Sequence, residues 1–368
     1  MYIPRYPTLW PKYFFLRERS FLPFPLNYEN IIFYNRGLSA IFDAIKILGL
    51  SPGDKVLLPS YTCIDTVMPF LNNGIDISFY NINEDLSINK KDLENRIEDR
   101  VKALFFIHYF GFPQDLDYIE FLKKKFNIFL IEDCAHAFLS EINDRYLGNL
   151  GDVSIFTLRK MIPVHNVGIL VVNNDEIDDL FSNYNKISSV FKGTLSRIIE
   201  NIKFRSGITF PAKNLKMMEK AIESTIINNQ QKKIYPKKGI STINKKLLNN
   251  FDYIKIKNTR RSNFEILLDW VKNRKNITPV FDSLPDGVSP MSFPVILEKR
   301  DIVCKLMNIH GIDAYPWPFL PTGLENSYKV SHYLAENIML LPLHQDLKTK
   351  HLNYITMLLE KALAVASK

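Results

Sequence analysis

The chain of 368 residues carries 47 Lys and Arg against 39 Asp and Glu, a net charge of +8, with 46% hydrophobic and 23% charged residues. That is an ordinary balance for a soluble globular protein, with room for one large domain and a smaller one. It lacks an apolar run of the ~18 residues a spanning helix needs, so no transmembrane segment is expected. The N-terminus Met1-Tyr2-Ile3-Pro4-Arg5 lacks the apolar core of a signal peptide, and Cys63, Cys134 and Cys304 show no metal-ligand spacing. A reduced, cytoplasmic protein without zinc is expected. The charge excess is local, since residues 201–275 hold 18 Lys or Arg and 5 Asp or Glu. Such a segment attracts polyanions, a nucleotide diphosphate or an anionic membrane surface among them, although a solvated lysine-rich helical face is the plainer account. No zinc finger, RNP-type motif or helix-turn-helix accompanies it, and no nucleic-acid partner is expected.

Residues 1–30 are rich in proline and aromatics, among them Pro4, Pro7, Trp10, Pro11, Phe14 and Phe15. Such a stretch cannot form a long helix yet has apolar surface to bury, so an N-terminal arm over its own core or a partner subunit is expected. From Asn35, apolar residues Leu38, Ile41, Phe42, Ile45 and Leu48 recur at helical spacing and stop at Gly49. Pro52-Gly53-Asp54 is a turn, 55–59 a short buried strand and 62–72 a second helix. Ile75, Ile77 and Phe79 alternate as in a half-buried strand, 89–98 predict a charged helix, and 101–108 a strongly apolar strand. Helix 116–126 and strands 127–131, 153–158 and 168–172 continue the alternation. Repeated strand–helix–strand units predict a mostly parallel, doubly covered α/β sheet, with ligands beyond the carboxyl ends of its strands.

Residues 175–285 read as helical and polar, with 228–241 a loop, and the large domain is expected over 31–285. Pro285, Gly287 and Pro290 mark a boundary. Beyond it, strand 291–297, helix 299–310, strand 312–315 and helix 352–365 predict a small C-terminal α+β domain over 286–368.

The residues just after strands carry the chemistry. The apolar strand Phe129-Leu130-Ile131 runs into Glu132 and Asp133, His136 follows three positions after Asp133, and Lys160 closes Phe156-Thr157-Leu158-Arg159-Lys160. A carboxylate at a strand end and a lysine on a loop form a pair that pyridoxal phosphate chemistry needs: one holds the pyridine nitrogen protonated, the other forms the Schiff base. Each residue alone has a plain alternative, a helix-capping Asp, a structural His and a surface Lys. Arg36-Gly37-Leu38-Ser39-Ala40 opens the first helix, where glycine and free N–H groups suit a phosphate, although Ser39 as an ordinary cap accounts for it too. Cys63 and Cys134 have no organised base nearby in sequence, so thiol nucleophilic chemistry is not expected.

In order, these pieces resemble the DegT/DnrJ/EryC1/StrS family of sugar aminotransferases, of the fold type I pyridoxal-phosphate transferase architecture. The blocks that carry the resemblance are Gly37-Leu38-Ser39-Ala40; the stretch from Leu48-Gly49-Leu50 through Pro52-Gly53-Asp54 to Pro59-Ser60-Tyr61-Thr62; His108-Tyr109-Phe110-Gly111-Phe112-Pro113; Glu132-Asp133-Cys134-Ala135-His136; and Leu340-Leu341-Pro342-Leu343-His344. The resemblance implies Lys160 as Schiff-base lysine and proton shuttle, Asp133 as partner of the pyridine nitrogen, and His136 beside the ring. It implies Gly37, Leu38, Ser39 and Thr157 around the phosphate, with Cys63 where an aromatic usually stacks on the ring. Leu158-Arg159-Lys160-Met161-Ile162-Pro163-Val164 is similar to a branch with "SLRK-x-LPVPDGG", and the partner subunit's usual "N-x-R" phosphate element has no counterpart over 191–211. A homodimer is implied, carrying an amino group from an amino-acid donor, expected to be glutamate, to a nucleotide-linked keto-deoxysugar for surface polysaccharide. The alternatives are sugar dehydration, for which relatives replace the lysine with histidine (His165 lies close in sequence), and a non-catalytic binding member.

Overall fold

The computed structural model describes residues 1–16, 21–174, 191–212 and 239–367. Its larger sheet is built from β1 (Ile31–Tyr34), β2 (Lys55–Pro59), β3 (Asp76–Tyr80), β4 (Val101–Ile107), β5 (Phe129–Asp133), β8 (Val153–Thr157) and β9 (Gly168–Val172). Helices α1 (Gly37–Ile47), α2 (Ile64–Asn72), α3 (Lys90–Glu94) and α4 (Leu116–Phe126) lie between the earlier strands, and a hairpin, β6 (Glu141–Ile142) with β7 (Arg145–Tyr146), precedes β8. The strand order is β1-β9-β8-β5-β4-β2-β3. Strands β8, β5, β4, β2 and β3 are parallel, while β9 runs antiparallel to both β8 and β1.

The register brings one edge together. Tyr34 and Thr157 both pair with Gly168, and Asp133 pairs with Ile155, so the carboxyl ends of β1, β5 and β8 face the same side. All five residues of β8 and of β9 are buried, as continuous apolar strands covered on both faces must be. Helix α4 shows how local chemistry sets its limits: the Asp115 side chain accepts the Tyr118 N–H, lysines 123–125 fill the last turn, and Asn127 leaves in the left-handed region.

Helices α5 (Phe191–Arg205), α6 (Thr242–Leu248) and α7 (Tyr253–Lys272) follow. A second, antiparallel sheet, in the order β10-β11-β13-β12, comprises β10 (Thr278–Pro279), β11 (Phe293–Ile296), β12 (Tyr315–Pro316) and β13 (Ile338–Leu341). Packed with it are α8 (Arg300–Ile309), α9 (Lys329–Asn337) and α10 (Thr349–Ala366). The expected architecture, a mostly parallel α/β sheet joined to a smaller α+β unit, is the one observed. The N-terminal segment lies on its own chain: Ile3 bridges Ile312, Arg5 pairs with Asp313 at 3.1 Å, and Thr8 donates twice to Asp346.

Some local expectations shift. The helix over 89–98 shrinks to α3, because only Leu93 there is buried and a short helix without an apolar stripe is marginal. The hairpin turn at Asn143 and Asp144, both at positive φ, is not among the predicted elements, nor are α9 and β13. The predicted strand over 312–315 is displaced to β12, with Ile312 engaged by Ile3 instead. Of the predicted loop, 228–238 lie outside the described residues.

Candidate active site

A cavity of about 360 Å³ opens at the shared strand edge, and Gly37, Leu38, Cys63, Asp133, His136, Thr157 and Lys160 all line it. Ser39 does not. It sits on the third residue of α1, turned inward, with its hydroxyl donating to Asn35 Oδ1 at 3.2 Å, and Asn35 reaches the wall in its place.

Asp133 is the last residue of β5 and is 8% exposed. Its Oδ1 accepts the Ala135 N–H at 2.8 Å, and Oδ2 has no hydrogen bond among the described residues. Burial raises its carboxyl above the usual range, against the Ala135 bond and the nearby Lys160 and His108. A cationic group brought to Oδ2 would relieve that penalty.

Lys160 closes a short 3₁₀ turn, Leu158–Lys160, directly after β8. Burial lowers its amine below the ordinary lysine value; Arg159 pushes the same way, while Tyr6, Asp133 and Cys63 oppose. The free-base fraction, which a nucleophilic or proton-carrying amine needs, is raised. His136 is held by a 3.3 Å bond from the Phe110 N–H to Nδ1 and by stacking on the Phe110 ring at 5.5 Å. Burial, then Lys160 and Arg159, hold it well below its ordinary pKa. The imidazole is therefore neutral, and because Nδ1 accepts, Nε2 carries the proton.

Gly37 begins α1 against the end of β8. A Cβ there would overlap Thr157 Oγ1, so only glycine lets the helix start this close to the strand. Arg36, the N-cap, is extended and makes no side-chain cap; the Ser39 N–H turns back to Arg36 O at 3.1 Å, leaving the Gly37 and Leu38 N–H groups to a ligand. Cys63 caps α2, its Sγ 3.5 Å from Thr66 Oγ1, and burial pushes its thiol up, away from thiolate chemistry.

The wall also holds residues the sequence reading did not place. Trp317 meets His136 at 4.9 Å, Phe110 at 5.3 Å and Tyr61 at 5.4 Å between ring centroids. The aromatic and proline cluster Tyr315-Pro316-Trp317-Pro318-Phe319 was its one available signal. His165 is not part of the wall; its carbonyl accepts from Asn244. Glu132, beside Asp133 but facing away, accepts from His108, the N–H groups of Gly148, Leu150 and Gly151, and Ser154. Although His108, Glu132 and Cys134 place ligand-type atoms within 4.8 Å of one another, protein donors already fill that carboxylate.

A sequence model of the DegT/DnrJ/EryC1/StrS aminotransferase family matches residues 18–360. GDP-perosamine synthase of Escherichia coli O157:H7 is 34% identical over 148 residues, 39% of this chain and 41% of its own length. The dTDP-3-amino-3,6-dideoxy-alpha-D-galactopyranose transaminase of Aneurinibacillus thermoaerophilus is 29% identical over 180 residues, 45% of this chain and 48% of its own. The chain thus matches a little under half the length of these curated relatives. Among solved structures, the PMP form of the putative sugar aminotransferase Spr1654 from Streptococcus pneumoniae superposes with a TM-score of 0.71 and 17% identity, covering 100% of both chains. The aminotransferase TlmJ from Streptoalloteichus hindustanus gives 0.68 and 18%, covering 92% of this chain and 87% of its own. At these identities the likeness establishes the fold.

Proposed function

Because this chain belongs to the DegT/DnrJ/EryC1/StrS aminotransferase family, we propose that it is a pyridoxal-phosphate-dependent enzyme that moves an amino group from glutamate to a nucleotide-linked keto-deoxysugar for surface polysaccharide. It acts as a homodimer, in the cytoplasm. The observation that carries the reading is the placement of Lys160 just after β8 and of Asp133 at the end of the neighbouring parallel strand β5, both opening on one cavity. The residues present fit the cofactor. Gly37, Leu38 and Thr157 line the cavity, the first turn of α1 has no capping side chain, and Asp133 has one carboxylate oxygen unengaged among the described residues. The named activities of the relatives, each on a GDP-, dTDP- or UDP-linked sugar, support the substrate class.

Pyridoxal phosphate supplies an aldehyde and an electron-withdrawing ring when bound. The protein does the rest. Asp133 would hold the ring nitrogen protonated, and that cation would offset the cost of the buried carboxylate. Lys160 would hold the cofactor through its amine and, as general base, would carry a proton on Nζ. His136 would offer its Nε2 proton beside the ring, and Gly37, Leu38 and Thr157 would hold the phosphate.

The test is the visible absorption spectrum of the purified protein with added pyridoxal phosphate, followed by borohydride treatment and peptide mapping, beside Lys160→Ala. A band that borohydride traps on Lys160 and that glutamate bleaches is expected. No band, or the same band in Lys160→Ala, refutes the assignment and leaves a binding member without turnover as the better reading.

A further inference from the structure

Arg260 lies on α7, is not itself part of the cavity wall, and is fully buried at 0% exposure. No carboxylate comes within 4.0 Å of it among the described residues. Its guanidinium serves carbonyls instead. Nη2 donates to Lys160 O at 3.5 Å and Met161 O at 3.1 Å, Nη1 to Pro290 O at 3.1 Å and Met291 O at 3.0 Å, and Nε to Gln345 Oε1 at 3.0 Å. Gln345 Nε2 adds a bond of 3.2 Å to Met161 O. Burial works against this charge and lowers it to about 9, with Asp346 and Tyr315 opposing. A cation kept in such a place without an ion-pair partner is costly, and a methionine of similar volume would fill the space.

The bonds run to two segments, each tied to a cavity-lining residue. On one side are the carbonyls of Lys160 itself and of Met161, which leave the 3₁₀ turn with no backbone N–H to serve them among the described residues. On the other, the Met291 N–H donates to Phe110 O at 2.8 Å, and Phe110 in turn holds His136 by its N–H and its ring. One planar fork therefore ties the lysine's backbone to the segment that orients the imidazole, a geometry that suits Arg and that the single ammonium of Lys cannot reproduce.

We propose that Arg260 is a positioning residue for Lys160, fixing the short turn that carries it against the His136 side of the cavity. This rests on the reading of Lys160 as the cofactor-bearing lysine. The groups that face the Lys160 amine are Tyr6 from the N-terminal arm, Arg159 from its own turn, Asp133 from β5, Cys63 at the start of α2, and His136 after β5. Its titration therefore reports whether the turn keeps it among them.

The experiment compares Arg260→Lys, Arg260→Met and the control Arg261→Gln with the unaltered chain. Arg260→Met fills a similar volume without a charge, so no unpaired cation is left behind, and removes every bond from this position to the Lys160 turn. Arg261 ties the same helix to Pro285 O and Val288 O, at 2.7 and 2.8 Å, away from Lys160. Two readouts are taken by peptide mass spectrometry: the pH midpoint of Lys160 labelling by acetic anhydride without added cofactor, and the fraction of Lys160 trapped by borohydride at sub-saturating pyridoxal phosphate.

In Arg260→Lys and Arg260→Met the labelling midpoint is expected to rise by about one unit toward an ordinary lysine, and trapping to fall by about tenfold. Arg261→Gln is expected to lower the thermal midpoint while moving neither. A folded Arg260→Lys or Arg260→Met chain with both readouts unchanged overturns the proposal and makes Arg260 a packing tie; if Arg260→Lys does not fold, Arg260→Met decides. If the unaltered chain traps no cofactor, the cofactor reading falls, and the labelling midpoint still decides the role of Arg260.

Discussion

Replacing Asp133 by Asn separates the cost of the site from its use. The two side chains have nearly the same shape, and Asn Oδ1 can still accept the Ala135 N–H that Asp133 now takes at 2.8 Å. What is lost is a buried charge. Burial raises the Asp133 carboxyl from its ordinary 3.8, so the folded chain holds that proton more tightly than the unfolded one. Stability therefore falls as pH rises from near 3.8 through the raised folded value, and the penalty is complete above it. Removing the charge is expected to stabilise the cofactor-free protein at pH 7 by about 1 kcal/mol. With an unfolding entropy of roughly 0.8 kcal/mol/K for a chain of this length, that is about 1.3 °C in Tm. The same change weakens cofactor binding. A bond between ions becomes one to a neutral amide, a loss of about 1.5–3 kcal/mol, or about ten- to a hundredfold in Kd. The assay pairs a thermal melt of the cofactor-free chain across pH with a spectrophotometric titration of pyridoxal phosphate. The gain in Tm should vanish below about pH 4. An Asp133→Asn chain that melts lower at pH 7 and binds the cofactor as tightly would show that Asp133 is a structural cap.

Glu132 has the opposite sign. Burial opposes its charge, but the His108 bond and the N–H groups of Gly151 and Gly148 win and hold its carboxyl below the usual 4.5. The stability it contributes is present above pH 4.5 and lost as pH falls through the depressed folded value. Glu132→Gln strands donors around a neutral amide, and urea unfolding should report a loss of about 3–5 kcal/mol. Gly37→Ala drives a methyl into Thr157 Oγ1 and should cost about 1–3 kcal/mol in the same assay. Adding Thr157→Ala to it should restore most of that stability, and failure to do so would place the strain elsewhere.

Much of this protein was written locally. The apolar runs of β4 and β8 leave little choice but buried strands, and Asp115 and Asn127 bound α4 at the limits its periodicity predicts. The ordered blocks from Gly37 to His136 were likewise legible, because turns, caps and strand ends are made by residues close together in the chain. Tertiary structure decided what depends on distant partners. Which way β9 runs follows from its pairing with β1 and β8, more than a hundred residues apart in the first case. Ser39 turns inward while Asn35 reaches the wall, Trp317 enters the cavity from the second sheet's side of the chain, and Arg260 reaches carbonyls a hundred residues away in Lys160. Periodicity shows that a side chain is buried, but the neighbours that give a lone tryptophan or an unpaired guanidinium its meaning exist only once the chain has closed on itself.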